Sequence, residues 1–447
     1  MKKKMAVALL LITQCFFLTG LLMSNHRDKR LGVMSPQVAD TAYVKSFFLR
    51  NLEVERLGEL SASYYRQWVK TSDLEENKSK LWSLWVVANQ ARMSSFMVAD
   101  SLGKEFIWEL PSDERMKVET FTKGRRPLSG YPFFINLHGG GSDPSASTAW
   151  GADFNTEEWR AAKMLGRRYA DAPSYYFVPR MANDKKGRWY LKPQQMAWLR
   201  AWQLAALSKE VNPNRTYILG ISEGGYGSFR MGTFYADYFA GIGPMAGPET
   251  AEAAPIENLR NTAIRIEVGE DDRGFGRNQM GLDWRRRLDS ASLFNPGQFK
   301  HVVNVQKGRG HGIDYKDVSS WLSQHTRKIY PDTLSFLYYP IDGAYRLGFG
   351  YVRLDHLHSA DGRLLFHLVK QGNVYHVTTK TIRGQVDGKI AIYLDKVDYR
   401  KSIVVFVNGK RRFRRVVRPN LGVMIESLAL FGDPERIFSG KVEVSVE

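Results

Sequence analysis

The sequence predicts an α/β domain with flanking helices, preceded by a helical region and followed by a mostly β domain. Two changes of pattern along the chain carry this prediction. Between residues 116 and 330, short apolar runs alternate with helix-like segments, which is typical of βαβ units in a mostly parallel sheet. Before residue 116 the apolar residues recur at helical spacing, and after residue 330 strand-like runs and turn signals prevail.

Length and composition exclude several classes of protein. The chain has 447 residues, of which 43% are hydrophobic and 25% are charged. These values exclude a disordered chain, a collagen-like fibre and a multi-span membrane protein. Lys and Arg number 64 against 46 Asp and Glu, which gives a net charge of +18 and favours anionic surroundings. The single cysteine excludes an internal disulfide framework and a zinc site built from several cysteines.

Residues 1–24 have the pattern of an export signal. Three lysines at positions 2–4 precede an uncharged stretch from Met5 to Met23. That stretch is long for the apolar region of a signal peptide and near the minimum for a membrane span. We therefore expect a periplasmic or secreted protein, with a retained N-terminal anchor as the alternative to cleavage. Cys15 lies inside this stretch, and its neighbours fit a lipid-attachment site poorly, so it is interpreted as an apolar filler.

The region 25–115 is predicted to be mostly helical. Ser72-Asp73-Leu74-Glu75 has the spacing of a capping box and would open a buried helix that extends to about Phe96. Residues 50–70 also carry apolar side chains at helical spacing. Packing between helices explains these stripes more simply than ligand binding does.

The α/β domain is predicted to span residues 116–330. The apolar runs interpreted as strands are Phe133–Leu137, Tyr175–Pro179, Thr216–Leu219, Ala240–Met245, Ile264–Val268 and Val302–Gln306. The helix-like segments between them are Thr156–Ala170, Gln194–Glu210 and Gly224–Tyr238. Ligand sites in such sheets lie at the carboxyl ends of the strands, so the motifs that follow these runs are the candidates for chemistry.

Residues 331–447 are predicted to form a separate, mostly β domain. Asn408-Gly409 joins two strand-like runs and is a strong hairpin signal. The basic run Lys410–Arg415 in this hairpin has two interpretations: a contact for an anionic polymer or membrane surface, or a solvated edge that resists sheet pairing. His356 and His358 lack an evident third ligand, so no metal site is expected.

The segment Gly220-Ile221-Ser222-Glu223-Gly224 has the form of a nucleophile elbow. It follows the apolar run Tyr217–Leu219 and precedes a helix-like stretch, which is the strand–turn–helix context that the G-x-S-x-G motif requires. Glycines on both sides of Ser222 allow close approach of the backbone in a tight turn. Ser222 is therefore the candidate nucleophile, and the N–H groups at the start of the helix can stabilise an anion.

A second motif, Asn136-Leu137-His138-Gly139-Gly140-Gly141, follows the strand-like run that ends at Leu137. Such a loop donates part of an oxyanion hole, together with the N–H of the residue after the nucleophile. The donors here would be Gly140 or Gly141, and Glu223. His138 is predicted to hold the loop rather than to act as the base.

An acid and a histidine follow the last two strand-like runs. Glu270-Asp271-Asp272 comes after Ile264–Val268, and His311 comes after Val302–Gln306. The order serine, acid, histidine is the one expected for a triad on this type of sheet. His311 would accept the serine proton, and either Asp272 or Asp271 would orient the imidazole.

With these residues in place, the chain resembles the α/β-hydrolase superfamily over residues 116–330, and most of all exported bacterial esterases of the polyhydroxybutyrate-depolymerase and feruloyl-esterase type. The resemblance rests on His138–Gly141, Gly220–Gly225, Asp272 and His311, with Tyr176–Arg180 and Trp189-Tyr190 in support. It implies ester hydrolysis through a covalent acyl-enzyme, without a cofactor. The family pattern Gly-x-x-Asp favours Asp272 as the acid.

The expected substrate is a small-molecule or polysaccharide-linked ester, acylated carbohydrates included, and no nucleic acid is expected. Trp150, Trp189 and Tyr190 would either stack on a sugar or aryl ring or pack in the core. Two other functions stay open: a serine peptidase of the prolyl-oligopeptidase type, and a non-catalytic binding protein on a hydrolase scaffold. The helical N-terminal region argues against the peptidase. The complete set Ser222, Asp272 and His311 argues against the non-catalytic binding protein.

Overall fold

An eight-stranded mixed sheet lies at the centre of the computed structural model. Its strands are β1 (Lys104–Glu109), β2 (Arg115–Lys123), β3 (Tyr131–Leu137), β4 (Ser174–Pro179), β5 (Val211–Ile221), β6 (Gly241–Met245), β7 (Ala263–Gly269) and β8 (His301–Gln306). Their order across the sheet is β1-β2-β4-β3-β5-β6-β7-β8. Only β2 runs antiparallel to both of its neighbours, and every pair from β4 to β8 is parallel. The carboxyl ends of the parallel strands therefore meet at one edge of the sheet.

The structure describes residues 40–446, apart from 53, 55, 94–101, 111–113 and 193. The predicted export segment lies outside this part of the chain. Within the described residues, none of the helices combines the length and the apolar character needed to cross a membrane.

Three helices precede the sheet: α1 (Thr41–Arg50), α2 (Ala62–Tyr65) and α3 (Leu74–Met93). The predicted helix over residues 50–70 is wrong, because only α2 is helical in the described part of that segment. The predicted capping box is also wrong: Ser72 lies in a 3-10 turn before α3, and its hydroxyl donates to Asp73 Oδ1 at 2.6 Å. The sheet itself starts earlier than predicted, since β1 lies in the region interpreted as helical.

Five helices pack against the sheet, and they are α4 (Asp153–Arg168), α5 (Gln194–Ser208), α6 (Glu223–Phe234), α7 (Arg277–Phe294) and α8 (Val318–Leu322). Strands β3 and β4 are buried along their whole length, as expected for parallel strands covered on both faces. Four rings, one from each of β2, β4, β3 and β5, stack in series. Phe121 lies 5.1 Å from Tyr176, Tyr176 lies 5.0 Å from Phe134, and Phe134 lies 4.8 Å from Tyr217. This aromatic layer holds the strands whose ends carry the site.

The C-terminal region contains two five-stranded sheets and one buried helix. Its elements are β9 (Thr333–Tyr338), β10 (Gly348–Phe349), β11 (Val352–Arg353), β12 (Leu357–His358), β13 (Arg363–Gln371), β14 (Val374–Arg383), β15 (Asp387–Leu394), β16 (Ser402–Val407), β17 (Lys410–Val416), α9 (Leu421–Phe431) and β18 (Gly440–Ser445). The predicted hairpin is confirmed, since β16 and β17 pair antiparallel across Asn408-Gly409. The basic strand β17 is the edge of its sheet.

The N-terminal helices and the C-terminal region pack on the α/β region as parts of one unit, Asp40–Glu447. Tyr393 and Lys441 both donate to the buried Glu426 of α9, at 2.7 and 2.9 Å. A second buried network crosses from the α/β region: Arg436 bridges Asp433 and Asp237 at 2.6 Å each. Breaking one partner of such a buried pair is strongly destabilising. The domain boundaries at residues 116 and 331 stay a prediction.

Candidate active site

Ser222 lies at the turn between β5 and α6, in a strained backbone conformation. Its φ is 55° and its ψ is −114°, and its N–H donates to the Met245 carbonyl at 2.8 Å. A Cβ at Gly220 would lie 2.3 Å from the Gly224 carbonyl oxygen, and one at Gly224 would lie 2.2 Å from the Leu137 carbonyl oxygen. No larger residue fits at either position without a shift of the backbone. The glycines therefore allow the sharp turn that presents the serine, and strain of this kind is concentrated at functional sites.

Ser222, His311 and Asp272 form one hydrogen-bonded line. The Ser222 hydroxyl donates to His311 Nε2 at 3.0 Å, and His311 Nδ1 donates to Asp272 Oδ2 at 2.7 Å. The Asp272 side chain is buried, whereas 45% of the His311 side chain is exposed. Asp271 is exposed and is not in contact with the imidazole in this arrangement; its N–H donates to the Arg309 carbonyl. Of the two candidate acids, Asp272 is the one that the fold brings to His311.

The second oxygen of Asp272 is held by a residue that the sequence reasoning missed. Arg277, at the start of α7, donates from Nη1 to Asp272 Oδ1 at 2.9 Å and from Nε to the Tyr226 hydroxyl at 2.8 Å. The Arg277 guanidinium also lies 5.0 Å from the centre of the Phe275 ring, which is 86% exposed. No motif marks Arg277, because its role depends on a loop that folds back after Asp272.

The glycine loop is fixed by Asn155 of α4, and this contact corrects one predicted donor. The Gly141 N–H donates to Asn155 Oδ1 at 3.0 Å, and Asn155 Nδ2 donates back to the Gly141 carbonyl at 2.9 Å. The N–H of Gly141 is therefore engaged and is not an oxyanion donor. Gly140 has φ +94°, and a Cβ there would lie 2.0 Å from Asn155 Oδ1. Among the described residues, the N–H groups of Gly140 and Glu223 have no partner, so these two remain as the donors.

Asn155 is itself oriented by a buried ion pair. Its Nδ2 donates to Asp184 Oδ1 at 2.8 Å, and Arg180 Nη1 donates to the same oxygen at 2.6 Å. Burial penalises the charged Asp184, but Arg180 and the other donors hold the pKa of its carboxyl below the usual range. The carboxylate therefore stays an acceptor and fixes which way the Asn155 amide points.

His138 is buried and holds the same loop, as predicted from its position. It donates from Nδ1 to the Gly139 carbonyl at 2.6 Å, and its Nε2 accepts the Met181 N–H at 2.9 Å. Burial, with a smaller contribution from the nearby Arg180, lowers the pKa of the imidazole to about 3. His138 is therefore neutral at physiological pH and has no free nitrogen for proton transfer.

The three aromatic residues proposed for substrate stacking have different environments. Trp189 is fully buried and donates from Nε1 to the His138 carbonyl at 3.1 Å, so its ring belongs to the core and the stacking alternative is wrong for it. Trp150 is half-buried beneath the Lys117 ammonium, which lies 4.5 Å from the ring centre. Tyr190 is half-buried with the Arg230 guanidinium 3.9 Å above its ring. Cationic groups already cover a face of each of these two rings.

The side chain of Glu223 forms a charged cluster beside the nucleophile. Arg188 Nη1 donates to Glu223 Oε2, while Glu223 Oε1 is buried and has no hydrogen-bond partner among the described residues. Burial raises the pKa of the Glu223 carboxyl to about 7; Arg188 opposes this shift, and Glu249 adds to it. Within the described residues no group of three or more His, Cys, Asp or Glu side chains could hold a metal ion.

The strand order and the position of the serine turn define the α/β-hydrolase fold. No protein-family model and no curated protein matches the chain. Among solved structures it is similar to a thermostable esterase (17% identity, TM-score 0.35) and to a ferulic acid esterase (15%, 0.35). A dipeptidyl peptidase 4 from Porphyromonas gingivalis is also similar (13%, 0.34), and other esterases match, among them a poly(3-hydroxybutyrate) depolymerase.

Each of the first three similarities covers 50% of this chain. They cover 63% of the thermostable esterase, 94% of the ferulic acid esterase and 35% of the peptidase. The chain thus spans less than two thirds of the thermostable esterase and about a third of the peptidase.

The Asn155 contact leads to a prediction about catalysis. We expect Asn155→Ala to lower kcat for a short-chain ester by about 10²-fold, because the oxyanion loop loses both of its bonds to the amide. KM should change much less, since the change affects the developing oxyanion more than ground-state binding. Glu157→Ala, an exposed change on the same helix, is the control. Equal kinetics for the two variants would show that the loop holds its position without Asn155.

Proposed function

We propose that this protein is an exported serine hydrolase that cleaves carboxylic esters through an acyl-enzyme. The observation that carries the proposal is the hydrogen-bonded line from Ser222 through His311 to Asp272, beside the free N–H groups of Gly140 and Glu223. A nucleophile, a base, an orienting acid and two oxyanion donors are the parts that acyl transfer requires.

The geometry supports a two-step mechanism. His311 Nε2 takes the proton of Ser222 as Oγ attacks the ester carbonyl, and Asp272 stabilises the imidazolium that results. The oxyanion of the tetrahedral intermediate accepts hydrogen bonds from Gly140 and Glu223. The intermediate collapses when His311 returns the proton to the leaving alcohol. Water, deprotonated by His311, then attacks the acyl-enzyme by the same route and releases the acid.

Esters, rather than peptides, are the substrates that we propose, with acylated carbohydrates as a candidate class. Peptidases of the prolyl-oligopeptidase type place an extra domain before the catalytic one. Here the regular elements described before β1 are helices joined by irregular segments, and helix α3 packs against α5 and α9. Nearly half of the His311 side chain faces solvent, so the triad is accessible from solvent at this residue. Export rests on the sequence pattern of residues 1–24 and is part of the proposal.

A comparison of matched esters and amides tests this function. We expect the purified protein to hydrolyse 4-nitrophenyl acetate and butyrate in preference to the corresponding 4-nitroanilides. Each kcat/KM is divided by the rate of hydroxide-catalysed hydrolysis of the same compound, which corrects for intrinsic reactivity. The corrected kcat/KM for the esters should be higher by orders of magnitude. Faster turnover of peptidyl anilides than of the esters would establish the peptidase instead. No turnover of either class would favour the binding protein.

A further inference from the structure

Arg188 lies beside the oxyanion hole and has no part in the mechanism above. The loop that carries it packs on the glycine loop, because the Asp143 N–H donates to the Asp184 carbonyl at 2.7 Å. A Cβ on Gly187 would lie 2.7 Å from the Cα of Ser142, so the two loops are in direct contact. The position of Arg188 relative to the oxyanion hole is therefore set by packing.

The backbone of Arg188 is held in a conformation that arginine rarely adopts. Its φ is 61°, in the left-handed region, and its carbonyl accepts a bond from Gln194 Nε2 at 2.9 Å. Left-handed conformations are disfavoured for residues with a Cβ and persist where the surroundings enforce them. Here the result is that the side chain turns toward Glu223, the residue after the nucleophile.

The guanidinium of Arg188 has donors to spare. An arginine carries five N–H donors, and Nη1 of Arg188 uses one of them on Glu223 Oε2. In the part of the chain that the structure describes, Arg188 has no second side-chain acceptor, and 43% of its side chain is exposed. Its remaining donors are therefore open to a ligand next to the residue that supplies an oxyanion N–H.

The charges around Glu223 favour an anionic ligand. The charged and titratable groups that face Glu223 are Arg188, Arg230, Glu249 and Tyr190. Arg230 is paired with Glu249 through Nε, which leaves Arg188 opposite Glu223. Because burial makes the ionised Glu223 costly, this carboxyl takes up a proton readily, and the cluster then carries a net positive charge. An anion bound here would further favour the protonated form of the Glu223 carboxyl, whereas a cation would be repelled by Arg188.

We propose that Arg188 binds a carboxylate on the ester substrate, next to the scissile carbonyl. This inference rests on the proposed ester hydrolase function and specifies its substrate class. A planar guanidinium matches a carboxylate through paired hydrogen bonds, which gives orientation as well as attraction. The net charge of +18 acts in the same direction at long range. The carboxylate can belong to the acyl group or to the alcohol, and the two are separated by the choice of probe.

Matched pairs of esters test the proposal. On the acyl side, mono-4-nitrophenyl adipate is compared with 4-nitrophenyl hexanoate, and on the alcohol side 3-carboxyphenyl acetate is compared with phenyl acetate. We expect wild type to prefer the anionic member of one pair by about tenfold or more in kcat/KM, after correction for the rates of hydroxide-catalysed hydrolysis. Arg188→Gln should abolish that preference and leave the neutral ester within a few-fold of wild type.

Arg125→Gln is the matched control, because Arg125 is exposed on another loop and the substitution removes the same charge. It should keep the preference, and Arg188→Lys should keep part of it. A wild type without preference in either pair overturns the proposal even if Arg188→Gln does not fold. An equal loss of preference in the Arg125 and Arg188 variants also overturns it, since long-range charge would then be the cause. If no ester is hydrolysed, the ester hydrolase function fails and this inference fails with it.

The pH dependence offers a second readout. A bound carboxylate disfavours ionised Glu223, so the anionic ester should bind best below the raised pKa of that carboxyl, about 7. We therefore expect KM for the anionic ester, relative to the neutral one, to rise from about pH 6 to about pH 8. A ratio that is constant or falls over this range contradicts the proposed site.

Discussion

Replacing Ser222 by alanine is expected to lower kcat for a short-chain nitrophenyl ester by on the order of 10⁶-fold, to the level of the uncatalysed reaction plus the contribution of the oxyanion donors. The reason is chemical: His311 then has no hydroxyl to deprotonate, and no acyl-enzyme can form. Loss of the side chain should not disturb the fold, because the turn is fixed by the backbone bond from Ser222 to Met245 and by the adjacent glycines. Stopped-flow or steady-state release of nitrophenol measures the change.

Ser147→Ala provides the control, because Ser147 is an exposed serine on the loop that follows the glycine loop. It should hydrolyse the ester at the wild-type rate. Treatment with a fluorophosphonate should label wild type at Ser222 and leave Ser222→Ala unlabelled, as judged by peptide mass spectrometry. Activity retained by Ser222→Ala would show that another group attacks the ester, and the assignment of the nucleophile would be wrong.

The sequence was sufficient to predict the six strands from β3 to β8, because these are short apolar runs, several of which end in recognisable motifs; β1 and β2 were not predicted. The motifs of the site, His138–Gly141 and Gly220–Gly224, lie at the carboxyl ends of β3 and β5, which are neighbours in the sheet. Their backbone requirements can be inferred from glycine positions alone. The convergence of Ser222, Asp272 and His311 follows from chain order, since β5, β7 and β8 end at the same edge.

The N-terminal region was predicted less well, for a physical reason. Residues 50–70 carry apolar side chains at helical spacing, yet in the described part of that segment only Ala62–Tyr65 is helical. Buried side chains such as Leu57 and Leu60 contribute to packing without a helix. Spacing alone cannot distinguish these cases, because tertiary packing overrides local preference.

The residues that support the site were not predictable from motifs. Asn155 holds the glycine loop, and Arg277 holds Asp272, each from another element. Each is a polar residue in a helix or loop, where many polar residues are solvated. Only the folded chain shows which of them turn inward. Arg277 has the clearest consequence for catalysis, because it fixes one oxygen of Asp272.

Asp272→Asn is expected to lower kcat by about 10⁴-fold, whereas Asp271→Asn, the matched change one residue earlier, should leave kcat within about twofold of wild type. Arg277 is the reason for the size of the loss. Its Nη1 donates to Oδ1 of residue 272, so in the variant the carbonyl oxygen of the amide would stay on that side. The NH₂ group would then face His311 Nδ1, where the carboxylate of Asp272 accepts a bond in the wild-type protein.

Two donors cannot share that contact, so His311 would carry its proton on Nε2, facing Ser222. In this tautomer the imidazole cannot accept the serine proton, although every heavy atom keeps its place. The thermal midpoint should fall only modestly, because asparagine retains an acceptor for Arg277, and near-native circular dichroism should accompany the loss of kcat. Equal activity in the two variants, or the larger loss in Asp271→Asn, would show that Asp272 does not orient the base. Recovery of kcat in the double variant Asp272→Asn/Arg277→Met would support this explanation. It would show that the amide can rotate once Arg277 is gone, and it would identify Arg277 as the group that fixes the tautomer.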